Sequence, residues 1–282
     1  MIASAIVLAL AGLHLGFRAP RVVGQGTPPG LGHTLSEARI TTRHGKRLFA
    51  WFIPSAAAGI TVVVQHGWGG NAAMMAPLAT PFIGAGFNVL LADARNHGRS
   101  DSDGHSSLPK FADDVSACVD WLQANHPAQA RQIVLVGHSV GAAAALLAAS
   151  RRTDIDAVIS ISAFAHPQWM MRRALRRWPL PDLVVGLLLR YVEWVIGHRF
   201  DTIAPLSTAG RLGCPLLLVH GTADTTVPVS DAHAIAHVHG ARLQLLEVAD
   251  AAHDSVERIE AQAPALLAFL AQHGIAAGDT QP

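Results

Sequence analysis

Cysteine and lysine are both scarce in this chain of 282 residues. The two cysteines, Cys118 and Cys214, cannot staple a disulfide framework and lack the spacing of a metal site. Both are expected as buried or idle thiols. Of 21 basic residues only Lys46 and Lys110 are lysine, a skew that GC-rich bacterial coding sequences give. Charge is low as well: 15% of residues are Asp, Glu, Lys or Arg, against a usual ~25%. The net charge is +1, so no nucleic-acid partner is expected from long-range attraction. There is no G-x-G-x-x-G, no P-loop and no His/Cys cluster, so neither cofactor nor metal is expected. What the chain has in quantity is apolar residues, at 50%. That excludes a disordered chain, and the length suits one large domain or two small ones.

Met1 to Phe17 carries no charge, and Arg18 and Arg21 follow it. Such a run stands at the short end of the ~17–25 residues that span a bilayer. It lacks the basic start of a signal peptide and a small-residue cleavage site after the apolar stretch. The first expectation is a membrane anchor with the remainder of the chain cytoplasmic, by the positive-inside rule. A cleaved signal peptide on an exported protein and a buried start of a soluble one are the alternatives. Residues 18–37 read as a linker, with a Gly/Pro-rich tether over Gly24–Gly32.

Beyond it, strand patterns alternate with helix patterns. Ala38–Thr42 and Arg47–Ile53 flank His44-Gly45 and predict an antiparallel pair. Ile60–Gln65, Asn88–Ala92, Ile133–Val136, Ile155–Ile161, Leu216–Val219 and Leu243–Val248 predict short buried strands. Asn71–Gly84, Phe111–Asn125, Val140–Ser150 and Val256–His273 predict helices. The alternation predicts βαβ units and a mainly parallel sheet over residues 38–162 and 211–275. Residues 163–210 break it, with no strand pattern and an apolar helical stretch at Leu183–Ile196. This segment reads as a helical cap over the crevice at the carboxyl ends of the strands. Its cluster Arg172, Arg173, Arg176 and Arg177 is expected on one helix face, solvated or turned to anionic groups.

The chemistry concentrates at Gly137-His138-Ser139-Val140-Gly141. A G-x-S-x-G motif between a strand and a helix forces a turn too sharp for side chains at the glycines. It pushes the Ser139 hydroxyl out at the top of the sheet, against the N-terminus of the next helix. Serine needs a base and an orienting acid. In this architecture they follow in the order Ser, acid, His. Asp224 follows the strand Leu216–Val219, and His253 is the one histidine on the loop after the last strand. Asp250 and Asp254 are rival acids, but stand too near His253 in sequence to reach its ring easily from below. Oxyanion donors are expected from the Val140 N–H and from His66-Gly67-Trp68-Gly69-Gly70, where the Trp68 N–H is the candidate.

With these elements together, the chain resembles the α/β-hydrolase superfamily, in particular bacterial serine-aminopeptidase S33-like and monoacylglycerol-lipase-like hydrolases. The resemblance rests on HGWGG (66–70), DARNHGRSD (93–101), GHSVG (137–141), HGTAD with Val227-Pro228 (220–228) and the terminal His253. It implies an α/β-hydrolase fold with a cap and a Ser139–Asp224–His253 triad. In DARNHGRSD, Asn96 stands where the family has glycine, and the loop is expected to be structural. The expected activity is hydrolysis of a small-molecule carboxylic ester with an apolar acyl chain, through an acyl-enzyme. Amide or thioester cleavage and acyl transfer are the alternatives on the same triad. A non-catalytic binding module is the remote one.

Overall fold

The computed structural model describes residues 12, 17–24, 26–28, 30–31, 34–55, 59–239 and 243–276. Strand β1 (Ser36–Thr41) and β2 (Arg47–Ile53) form the expected hairpin, followed by β3 (Ile60–Gln65). A 3-10 turn (Ala72–Met75) capped by the Asn71 side chain leads into α1 (Ala76–Gly84) and then β4 (Asn88–Ala92). Next come α2 (Leu108–Asn125), β5 (Gln132–His138), α3 (Val140–Ala149) and β6 (Ala157–Ile161). The segment expected as a cap holds α4 (Pro167–Leu175) and α5 (Asp182–Ile196), and three short helical turns lead from it to the next strand. The chain closes with β7 (Leu216–Gly221), α6 (Ser230–His239), β8 (Leu243–Val248), α7 (Val256–Glu260) and α8 (Ala263–Gln272).

The eight strands lie in the order β1-β2-β4-β3-β5-β6-β7-β8. Pairing is antiparallel from β1 through β2 to β4 and parallel from there to β8. Strands β3, β4, β5 and β6 are buried on both faces, or nearly so, which is why they read as unbroken apolar runs. On β2, Leu48, Ala50 and Phe52 face one apolar core while Phe49, Trp51 and Ile53 face the other. All ten residues of α3 are buried, and its alanines let it lie close against the sheet.

Three local expectations change. The helix expected over 256–273 is two helices, because Pro264 has no N–H and is accommodated in a first turn, where a new helix starts. Several described residues of the stretch expected as a linker at 18–37 make contact with the domain. Leu31 is fully buried, Arg21 donates to the carbonyls of Gly98 and Ser100, and the Val22 carbonyl accepts from Asn71. The four cap arginines do not share one solvated face. Arg173 forms a two-pronged pair with buried Asp231, at 2.6 and 2.7 Å, and so ties α4 to α6. Most of the apolar run at 1–17 lies outside the described residues, and the anchor expectation with it. Among the described residues no helix is long and apolar enough to cross a membrane.

Candidate active site

The turn after β5 is built as its sequence requires. Ser139 has φ 56 and ψ −120, a conformation costly for a side-chain-bearing residue. A Cβ on Gly137 would overlap the Gly141 carbonyl, and one on Gly141 would overlap the His66 carbonyl. Only glycine fits at either end of the turn. The Ser139 N–H donates to the Ile161 carbonyl at 2.9 Å, which holds the strained residue to the end of β6. Val140 is the first residue of α3, so its N–H has no acceptor within the helix.

Two further carboxyl-end loops converge on that serine. The Ser139 hydroxyl donates to His253 Nε2 at 2.9 Å, and His253 Nδ1–H donates to Asp224 Oδ2 at 2.7 Å. Asp224 follows β7 and is buried. Its Oδ1 accepts the N–H groups of Thr226 and Val227 at 2.9 and 2.8 Å, which leaves Oδ2 for the imidazole. Burial by itself would raise the Asp224 carboxyl, but the hydrogen bonds from His253 and Val227 outweigh it and hold it below its ordinary value. The rivals Asp250 and Asp254 are both exposed, and it is Asp224 that meets the ring.

His138 is a residue the sequence reading passed over. Its ring is buried, and Nε2–H donates to the His253 carbonyl at 2.8 Å. The residue before the nucleophile thus pins the backbone of the loop that carries His253. Burial drives its pKa below the ordinary histidine value, so it stays neutral. The position inside the motif carries no pattern that would have shown this, because the partner is a backbone carbonyl 115 residues away. His138, His253 and Asp254 bring ligand-type atoms within 4.8 Å of one another. Both His253 nitrogens are already engaged by Ser139 and Asp224, so the group has no free imidazole lone pair from that residue for a metal.

The loop at 66–70 lies beside the serine, with Gly67 and Trp68 lining the same cleft. His66 anchors it: Nδ1–H donates to the Gly67 carbonyl at 2.7 Å and Nε2 accepts the Ala94 N–H at 3.0 Å. Complete burial, aided by the neighbouring His97, pushes the His66 pKa down to about 3. The loop at 93–101 is structural in its contacts. Asp93 accepts from the N–H groups of Ala72 and Arg99 at 2.7 Å each. Arg95 is buried against Asp114. Asn96 stands at φ 70, a left-handed conformation that asparagine tolerates better than most side chains.

Two spaces adjoin the turn at 139–140. An open cleft of about 790 Å³ holds Ser139 and His253, with Asp254 and Glu257 on its rim. Beside it a cavity of about 350 Å³ runs between core and cap, lined by Phe17, Val140, Phe164, Met171, Val192 and Phe200 among others. Trp68 and Met170 line both.

Residues 56–205 match the family model described as serine aminopeptidase, S33. The chain belongs to that family. The matched stretch includes Ser139 and the 66–70 loop and ends before Asp224 and His253. Rv2307c, an uncharacterised protein of Mycobacterium tuberculosis, is 30% identical over 183 residues, covering 61% of this chain and 64% of that one. YfhR of Escherichia coli is 29% identical over 196 residues, covering 67% and 62%. The match therefore spans under two thirds of the length of these relatives. The Pyrococcus furiosus esterase Pf2001 superposes with a TM-score of 0.73 at 25% identity, over 91% of this chain and 97% of that one. Est1E of Butyrivibrio proteoclasticus, solved with ferulic acid bound, gives 0.65 at 21% identity over 84% and 98%, a likeness of fold. Family and fold are those of α/β hydrolases.

Proposed function

We propose that this S33-family chain is a serine hydrolase that cleaves carboxylic esters with an apolar acyl group. The observation that carries the reading is the unbroken hydrogen-bonded line from Ser139 through His253 to buried Asp224. Ser139 Oγ attacks the ester carbonyl while His253 Nε2 takes its proton. Asp224 holds the Nδ1–H tautomer and stabilises the imidazolium. The N–H groups of Val140 and Trp68 receive the oxyanion, a contribution of ~10²–10³ in rate for each donor. His253 then protonates the leaving alkoxide, and water repeats the sequence on the acyl-enzyme. No cofactor takes part in this scheme.

The apolar cavity beside Val140 supports an apolar acyl chain, because a polar group there would lose water without gaining a partner. Asp254 and Glu257 on the opposite rim support a second reading, in which an amine-bearing amide or aminoacyl substrate is cut by the same serine. The uncharged run 1–17 supports a membrane tether with the hydrolase domain cytoplasmic, and fractionation of the full chain tests it. The main test is fluorophosphonate labelling followed by a panel of p-nitrophenyl esters, thioesters and aminoacyl anilides. Labelling at Ser139 with turnover of medium-chain esters is the expected result. Labelling with anilide turnover alone selects the second reading, and no labelling rejects both.

A further inference from the structure

Helix α5 turns an apolar face to solvent. Its buried residues Val185, Leu189 and Val192 lie on one side. On the opposite side, at spacings of four, three and four, stand Leu183, Leu187, Arg190 and Trp194. Leu183 is 76%, Leu187 64% and Trp194 77% exposed. Single exposed leucines are ordinary, but a stripe of them along one helix marks an interaction surface. Trp178, on the turn between α4 and α5, is 67% exposed.

Acidic Asp182 and Glu193 stand near the stripe with arginines facing them, and the charges left without an ion pair there are positive. Arg173 is spent on Asp231, Arg199 on Glu193, and Arg172 faces Asp182 at 3.9 Å. Arg176, Arg177 and Arg190 are exposed and have no ion pair among the described residues. Arg172, Arg176 and Trp178 also line a recess of about 270 Å³ between the two helices, with Asp182 on its wall. Arginine beside exposed tryptophan and leucine is the composition of a surface that lies in the head-group region of a bilayer. A second copy of the chain would bring the same three cations against these, which disfavours a symmetric contact.

We propose that the outer face of α5, with the adjoining arginines, docks on an anionic lipid bilayer. The inner face of the same helix gives the surface a use. Val192 and Ile196 line the apolar cavity, and so does Phe17, the residue at which the uncharged N-terminal run ends. Docked this way, the cavity lies next to the lipid phase, and an acyl chain enters it from the bilayer. The surface follows from the cap itself and does not depend on ester hydrolysis, because binding is read without turnover.

The full chain is mixed with vesicles of phosphatidylcholine, with and without phosphatidylglycerol, and sedimented. Parallel vesicles carry brominated acyl chains, and the Trp194 signal is the wild-type emission minus that of Trp194→Phe. Quenching of the Trp194 component on anionic vesicles is expected. Arg176→Gln/Arg177→Gln/Arg190→Gln should bind anionic vesicles about a hundredfold more weakly, at roughly fivefold per arginine. Leu183→Gln/Leu187→Gln should bind at least about tenfold more weakly while hydrolysis of a water-soluble ester stays unchanged. Vesicle binding without Trp194 quenching would overturn the proposal, because residues 1–17 would then be doing the binding. So would arginine variants that bind like wild type, or a wild-type dimer that Leu183→Gln/Leu187→Gln dissociates.

Discussion

Replacing His66 by glutamine separates one buried imidazole from the rest of the acid response of this protein. His66 is neutral in the fold because complete burial disfavours its charged form, and its Nε2 is already taken by the Ala94 N–H. Its pKa lies at about 3 in the fold against an ordinary 6.5. Below pH 6.5 the unfolded chain therefore takes up a proton that the folded chain refuses, and stability falls as pH falls. Well between the two values each pH unit costs ~1.4 kcal/mol, and half of that at pH 6.5, so lowering the pH from about 6.5 to about 4.5 should remove roughly 2 kcal/mol through His66 alone. That is a large share of a typical stability of ~5–15 kcal/mol. His97, His138 and His220 are also buried with lowered pKa values and act in the same direction, so the measurement must be a difference. Glutamine offers an acceptor to the Ala94 N–H and does not titrate. His66→Gln should lose some stability to imperfect packing at neutral pH, and that deficit should shrink or reverse toward pH 4.5, by roughly 2 kcal/mol overall. Urea unfolding of both proteins across this range checks it. Parallel stability curves for the two proteins would refute the assignment of His66 as the residue excluded from titration.

Four further outcomes are expected. Ser139→Ala should abolish ester turnover and fluorophosphonate labelling with the thermal midpoint retained, and Asp224→Asn should lower kcat ~10⁴-fold through the wrong imidazole tautomer. His138→Leu frees the His253 carbonyl and should lower kcat by up to ~10² with KM little changed. His138→Gln, which keeps a donor, should recover part of the loss, and rates of covalent labelling should follow the same order. Phe17→Ala removes one wall of the apolar cavity and should flatten the preference among acyl lengths in the p-nitrophenyl series, with acetate turnover unchanged. Arg173→Met leaves the Asp231 carboxylate buried without its partner, at a cost of ~3–5 kcal/mol. Chemical denaturation reads that loss, and a loss below about 1 kcal/mol would show that the cap is held otherwise.

Much of the site is legible in the sequence, for reasons that lie in local chemistry. A serine held at positive φ in a tight turn between strand and helix needs glycine two residues to either side, so Gly137 and Gly141 announce Ser139. Strands buried on both faces read as short apolar runs, and the loops that follow them in a parallel sheet end at one edge, which put Asp224 and His253 near the serine. The choice of Asp224 over Asp250 and Asp254 was an argument from reach along the chain, and the 2.7 Å contact to His253 agrees with it.

What only the tertiary structure decided are contacts between segments with no sequence relation to each other. The His138 bond to the His253 carbonyl uses backbone, which carries no residue signal. Arg173 reads like its three neighbours in the cap cluster, and only the position of Asp231, 58 residues on, turns it inward. The Gly/Pro-rich stretch after Arg21 looks like a free tether because glycine and proline lower local order. Of its described residues, Leu31 is buried in an apolar site, and just before the stretch the Arg21 guanidinium finds two carbonyls on the 93–101 loop. The exposed stripe of α5 was invisible for a related reason: apolar spacing shows that a helix has apolar faces, and only packing against the core shows which of them is left uncovered.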